Sequence, residues 1–130
     1  MKKSFLLAAV LLFVIMLFSS FATNDGKVLA DGTYCVNVKF EGGTGKAKII
    51  SPALLTVSNG AASVTVFWNS KSYDYMIVEG IKYMNLTPGD SSSFSFPVKE
   101  LGKTIDVIAN TVAMSKPHEI EYKLTFTLSE

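Results

Sequence analysis

The stretch Glu119-Ile-Glu-Tyr-Lys-Leu-Thr-Phe-Thr-Leu128 decides the fold class, because apolar and polar residues alternate along its whole length. A period of two is that of a β-strand with one packed face and one wet face, whereas an amphipathic helix has a period of 3.6. The side chains expected to point inward are Ile120, Tyr122, Leu124, Phe126 and Leu128. The pattern predicts a long antiparallel strand near the end of the chain.

The same period of two runs through the rest of the chain from Asp31 onward. It predicts about eight strands, the first over 33–40, with a short candidate at 47–50. Asn59-Gly60 favours a type I′ hairpin turn, and Pro97 places its strand at a sheet edge because proline cannot donate to a ladder. Without a helical stripe of useful length, the pattern predicts an all-β, Ig-like antiparallel sandwich.

The N-terminus has the three-part layout of a secretory signal peptide. Two lysines precede an apolar run over 5–18, which is short for a membrane span, and small polar residues follow. Cleavage after Ala22 or after Ala30 fits the sequence, and an uncleaved N-terminal anchor is the alternative. We therefore expect residues 1–30 to be signal peptide and short linker, and residues 31–130 to form one exported domain.

Composition limits the function classes. Removing residues 1–22 takes away two positive charges, Lys2 and Lys3, and lowers the formal net charge from +1 to −1. Removing residues 1–30 gives the same value, because Asp25 and Lys27 cancel. A near-neutral surface offers no electrostatic basis for binding nucleic acid or an anionic membrane. The single cysteine, Cys35, has no internal disulfide partner and is interpreted as a small packed hydrophobe, with pairing between chains as the alternative.

The sequence does not predict an enzyme. His118 is the only histidine, and no serine near it has the sequence context of an activated nucleophile. One histidine and one cysteine are also too few for a structural zinc site. The segment 68–84 instead concentrates one tryptophan, three tyrosines and two methionines, a composition suited to the walls of a haem pocket. Alternation there places Tyr73 and Tyr75 on one strand face and Met76 on the other; core packing is the alternative interpretation.

The ordered landmarks of the chain resemble those of NEAT domains, the Ig-like haem-binding modules of Gram-positive surface proteins. They are Asp31-Gly-Thr-Tyr34, Pro52-Ala-Leu-Leu-Thr-Val57, Asn59-Gly60, Asn69-Ser70, Phe96-Pro-Val-Lys-Glu-Leu101, Val107-Ile-Ala109, Ala113-Met114 and Tyr122-Lys-Leu-Thr-Phe126. The resemblance covers nearly the whole predicted domain. It implies an Ig-like fold and a haem site on the last hairpin, between the strands at 104–109 and 119–128.

The resemblance also implies specific iron-binding positions. The family usually binds iron through the first tyrosine of a Tyr-x-x-x-Tyr motif, and the matching positions here are Lys116 and Ile120. The loop that caps haem in the family is brief and glycine-rich here, at 41–46. A similar streptococcal haem-binding surface protein uses two methionine ligands, and Met114 matches one of them. The resemblance therefore implies Met114 as the metal ligand, with Met76 or His118 as the second, and Tyr73 and Tyr75 as pocket walls.

Two function hypotheses from different classes follow. The first is a secreted haem-binding or haem-relay module of bacterial iron acquisition, whose partner is haem or a haem-carrying protein. The second is a cofactor-free Ig-like interaction domain that docks a surface receptor or the binding protein of an ABC transporter. Both place the mature domain outside the cell, secreted or at the cell surface, without a membrane span.

Overall fold

A computed structural model describes residues 21–129, and within them the chain is all-β. The signal-peptide prediction for residues 1–20 lies outside the described range. The strands are β1 (Thr23–Asn24), β2 (Lys27–Val28), β3 (Gly32–Gly42), β4 (Ala53–Ser58), β5 (Ala61–Phe67), β6 (Tyr73–Val78), β7 (Ile81–Met84), β8 (Ser93–Val98), β9 (Glu100–Leu101), β10 (Ile105–Thr111) and β11 (His118–Leu128).

Eight strands form one antiparallel sheet in the order β7-β6-β10-β11-β3-β4-β5-β8. This sheet folds over on itself, so that its two edges approach each other where the Leu86 N–H donates to the Ser93 carbonyl at 2.9 Å. β2, β1 and β9 form a small second sheet, in which β1 and β9 run parallel. The predicted Ig-like sandwich is confirmed.

The predicted alternation is confirmed on the two longest strands. β11 buries Tyr122, Leu124 and Phe126, whereas Lys123 is exposed and Thr125 half-buried, and β3 buries Val36 while Cys35 is exposed. The core between the two halves of the sheet is dominated by large side chains that are almost fully buried: Leu55, Val64, Val66, Trp68, Met76, Phe94, Phe96, Leu124 and Phe126. The interpretation of Cys35 as a packed hydrophobe is therefore wrong, since this residue faces solvent.

The turn between β4 and β5 has the predicted form. Asn59 and Gly60 have φ values of 54° and 81°, and Ser58 pairs with Ala61 across the turn. Both central residues of a type I′ turn need positive φ, which asparagine and glycine tolerate best. Pro97 lies in β8, an edge strand of the large sheet, also as predicted.

Two parts of the fold differ from the prediction. Residues 47–50 do not form a strand; Ile49 makes one isolated bridge to Trp68, and Pro52 ends the segment after a cis peptide bond. The predicted linker before Asp31 contains β1 and β2, and the side chains of Ala22 and Leu29 are buried in the core. Three of the eleven strands in the described range are only two residues long, too short for an alternation pattern to detect.

Candidate functional site

The last hairpin presents apolar side chains to solvent at its tip. Thr111 and His118 are the final pair of β10 and β11, and residues 112–117 connect them. Val112 and Met114 in this connection are 46% and 65% exposed. The Val112 N–H donates to the Ser72 carbonyl at 2.7 Å, which holds the base of the connection against the neighbouring loop. The backbone is anchored while the Met114 thioether is exposed to solvent.

A second exposed methionine lies at this end of the sandwich. Met84, at the end of edge strand β7, is 59% exposed and lines a hollow of about 270 Å³ together with Val112 and Pro88. Met84 belongs to the aromatic and thioether segment 68–84, but it was not predicted as a site residue. The signal that could have identified it is the edge position of its strand, which leaves apolar side chains uncovered.

Two of the predicted pocket residues belong to the core. Met76 is fully buried and pairs with Ala109 of β10. Tyr73 is buried and stacks on Trp68 with a ring-centroid distance of 3.9 Å. Its hydroxyl lies 3.0 Å from that of Tyr122, and burial followed by this hydrogen bond raises the pKa of Tyr73 above its ordinary value. Tyr73 also lines the hollow beside Met84.

Tyr75 points the other way, so the prediction that it shares a strand face with Tyr73 is wrong. The cause is a β-bulge: Thr111 pairs with Tyr73 whereas the adjacent Asn110 pairs with Tyr75, which leaves Asp74 as the extra residue. The Tyr75 hydroxyl donates to the Glu119 carboxylate, and the Lys82 ammonium lies 4.2 Å from the ring centroid. The hydrogen bond to Glu119, with burial and nearby carboxylates, raises the pKa of Tyr75 to about 12.

His118 and the two family tyrosine positions lie close to Met114 in sequence but differ in exposure. His118 is exposed at the first position of β11, and Lys116 is exposed in the connection. Ile120 is half-buried and packs against the core. The structure thus brings Met114, Lys116 and His118 to the hairpin tip, whereas Tyr73 and Met76 lie beneath it.

The space between the hairpin and the loop after β3 is filled by aromatic side chains. A Cβ placed on Gly43 would lie 2.8 Å from the Tyr122 ring, so the loop backbone rests directly on that ring. Tyr122 in turn contacts Phe40 and Trp68, with centroid distances of 4.9 and 5.3 Å. The Trp68 indole N–H is buried without a hydrogen-bond partner among residues 21–129. The space beneath the loop is therefore occupied by these rings.

Neither a metal cluster nor a membrane helix is found in the part of the chain that the structure describes. No three His, Cys, Asp or Glu residues of the range 21–129 lie together as a metal-binding group. No helix of that range is long and apolar enough to span a bilayer.

Comparison with solved structures identifies the architecture. One similar structure is the NEAT5 domain of IsdX2, a B. anthracis hemophore, in complex with haem; its TM-score is 0.62 at 17% identity, covering 78% of this chain and 99% of that one. The fold is that of a NEAT domain. A point mutant of IsdX2-NEAT5 in complex with haem gives the same TM-score and coverage at 18% identity. No family model and no curated protein sequence matches the chain significantly, so the NEAT assignment rests on the fold.

Proposed function

We propose that this NEAT-fold domain binds haem at the tip of the β10–β11 hairpin and serves as an exported haem-binding or haem-relay module. The observation that carries the proposal is Met114, a thioether 65% exposed at the tip of this hairpin. The solved structures of similar fold, the IsdX2-NEAT5 domain and its point mutant, are haem complexes. Such a module would act in bacterial iron acquisition.

The residues at the tip suit a shallow, solvent-facing contact with a tetrapyrrole. Val112 and Met84 supply exposed apolar surface for the flat face of the ring, and Lys116 supplies an ammonium for a propionate. Met114 supplies a neutral sulfur donor, which favours the reduced metal over the oxidised metal. Lys116 and Ile120 cannot replace the phenolate that the Tyr-x-x-x-Tyr motif provides. We therefore expect methionine ligation of the haem iron, with a higher reduction potential than tyrosine ligation would give.

The other predicted site residues take secondary roles in this proposal. His118 is exposed four residues after Met114 and is the second available donor at the tip. Tyr73 and Met76 hold β6 in place from the core, beneath the ligand surface. Tyr75 lies on the outward face of the sheet, where Glu119 accepts its hydroxyl hydrogen. Iron contact is assigned to Met114 first and His118 second.

Export is proposed from the N-terminal apolar run over 5–18, with cleavage after Ala22. This site removes the buried Ala22 but leaves β1, β2 and Leu29 in the mature chain. Cleavage after Ala30 would remove all three, including the pairing of β1 with β9. The mature domain would then be secreted or held at the cell surface.

The experiment is an absorbance titration of the domain, residues 23–130, with haemin in the oxidised and dithionite-reduced states. We expect a saturating Soret band at one haem per chain. Met114→Leu keeps the apolar volume and removes the sulfur, so it should change the reduced spectrum and weaken binding about tenfold, or about 1.4 kcal/mol.

Met76→Leu is the matched control, because it changes a buried methionine to the same side chain and should leave the spectrum unchanged. His118→Ala separates the two donors at the tip. A non-saturating titration of the wild-type domain would overturn the proposal, and identical spectra for wild type and Met114→Leu would remove Met114 as the ligand.

A further inference from the structure

A groove of about 760 Å³ crosses the outward face of the large sheet, away from the hairpin tip. Its walls are the end of β3 on one side and the turn between β6 and β7 on the other, with β10 and β11 between them. Ile108, on the groove floor, and Thr111, at the hairpin base, are three residues apart along β10, roughly 10 Å at the rise of a β-strand. No residue that lines the groove belongs to the hairpin tip.

The floor of the groove is apolar. Ile77 and Ile108 are directly paired across β6 and β10, and both point outward while remaining half-buried. The outward face of an antiparallel sheet ordinarily carries polar residues where it meets water. Two paired isoleucines there provide an apolar surface that the described residues leave open to a ligand.

The rim of the groove is acidic. Among residues 21–129, Glu41, Glu79, Asp106 and Glu121 line it against one cation, Lys123, which gives these five side chains a formal charge of −3.

Ion pairs within the protein satisfy only part of this charge. Lys123 lies 2.6 Å from Asp106, and Lys39, just outside the groove, lies 3.3 Å from Glu41. Glu79 and Glu121 make no direct ion pair with another residue of the range 21–129. The hydrogen bond and attraction to Asp106, with smaller contributions from Glu41 and Glu121, raise the pKa of Lys123. Lys39 reduces the excess to two negative charges, and Lys82, which pairs with Ile77 on the same sheet face, reduces it to one.

Glu79 occupies a backbone position that does not favour glutamate. It has a φ of 50° in the two-residue turn that joins β6 to β7, where Val78 pairs with Ile81. Such turns favour asparagine, aspartate or glycine, and the comparable turns of this chain carry Asp25 and Asn59 with positive φ. A longer carboxylate is thus present at the one such turn that borders the groove.

We propose that this groove binds a basic, extended segment of a partner protein, in which aliphatic side chains alternate with lysine or arginine. The aliphatic side chains would cover Ile77 and Ile108. The long cationic side chains leave an extended backbone on the opposite side and would bend back to Glu79 and Glu121 at the rim. The groove crosses four adjacent strands, a span of about 14 Å, which matches four to five extended residues. The acidic rim repels nucleic acid and anionic lipid, so a basic protein segment is the occupant that its charge favours.

The test uses three capped peptides and methyl NMR spectra of the domain in low salt. We expect Lys-Ile-Lys-Ile-Lys to shift the methyl signals of Ile77 and Ile108 in a saturable way. Glu-Ile-Glu-Ile-Glu should leave them in place because its charge is reversed. Lys-Gly-Lys-Gly-Lys keeps the charge and lacks the aliphatic side chains, so it should bind more weakly than the isoleucine peptide. Equal affinity for the two lysine peptides would show charge attraction alone and overturn the proposal, as would unshifted isoleucine methyls.

Matched variants locate the site. The double variant Glu79→Gln/Glu121→Gln should weaken binding of Lys-Ile-Lys-Ile-Lys about fivefold, since exposed ion pairs are individually weak. Asp90→Asn/Glu100→Gln removes the same charge outside the groove and should have little effect. An equal loss in both double variants would overturn the assignment to this groove. Met114→Leu should not change peptide binding, so the outcome is independent of the haem proposal.

Discussion

The hydroxyl groups of Tyr73 and Tyr122 are each other's partner in the core, 3.0 Å apart. We expect Tyr73→Phe to lower the free energy of unfolding by about 1–2 kcal/mol, because the Tyr122 hydroxyl is then buried without a partner. Tyr73→Phe/Tyr122→Phe removes both hydroxyls and should be no less stable than either single variant. Urea denaturation of the three variants measures the coupling between the two side chains.

Tyr75→Phe is the control for this cycle. It removes a hydroxyl that bonds an exposed carboxylate, so it should change the free energy of unfolding much less than Tyr73→Phe does. Additive losses in the double variant would show that the two buried hydroxyls do not depend on each other.

The Tyr75 phenol reports its bond to Glu119 through its titration. The folded pKa of about 12 is above the ordinary value of 10, so the protonated phenol is stabilised in the folded state. This contribution is complete below pH 10 and is lost as the pH rises through about 12. Glu119→Gln should move the pKa of Tyr75 back toward 10, measured from the ring carbon shifts in NMR spectra. An unchanged pKa in this variant would show that the carboxylate is not the cause.

At the level of strands, β1 and β2 make the segment before Asp31 part of the folded domain. The Thr23 N–H donates to the Lys99 carbonyl at 2.8 Å, and Leu29 is only 9% exposed. A domain that starts at Asp31 should therefore be less stable than one that starts at Thr23, by about 2–4 kcal/mol from the lost burial of Leu29 and the lost β1 pairing. Denaturation midpoints of the two proteins measure the difference.

Leu29→Ala in the longer protein is the matched control, since it removes most of the buried side chain and keeps the backbone pairing. The stability of this variant should lie between those of the domains that start at Thr23 and at Asp31. Equal midpoints for the two lengths would mean that β1 and β2 add nothing to the fold, and cleavage after Ala30 would then be equally acceptable.

Over the whole molecule, the sequence predicted the elements that depend on local patterns. Alternation specified β3 and β11, Asn59-Gly60 specified a turn, and Pro97 specified an edge, since each signal is contained in a few adjacent residues. The parallel pairing of β1 with β9 joins residues about 77 positions apart and has no local signature.

The candidate sites were less predictable for the same reason. The single extra residue Asp74 reverses Tyr73 relative to Tyr75, and nothing in the segment marks this bulge. The resemblance placed Met114 on the hairpin, but its exposure is visible only in the fold. The groove combines Glu41, Glu79 and Glu121 from distant segments, and in sequence such carboxylates are indistinguishable from ordinary solubilising charge.

The position of β11 between β10 and β3 has a consequence for the order in which the protein can fold. β3 is the first long strand to be synthesised, and it pairs with β11, the final strand of the described range. Val38 therefore cannot form its cross-strand contact until Phe126 has been synthesised. Contacts so distant in sequence raise the contact order and slow folding. A nascent chain cannot close its central sheet until translation has passed the final strand. If the chain is exported as proposed, this topology keeps its central sheet open until β11 has been synthesised.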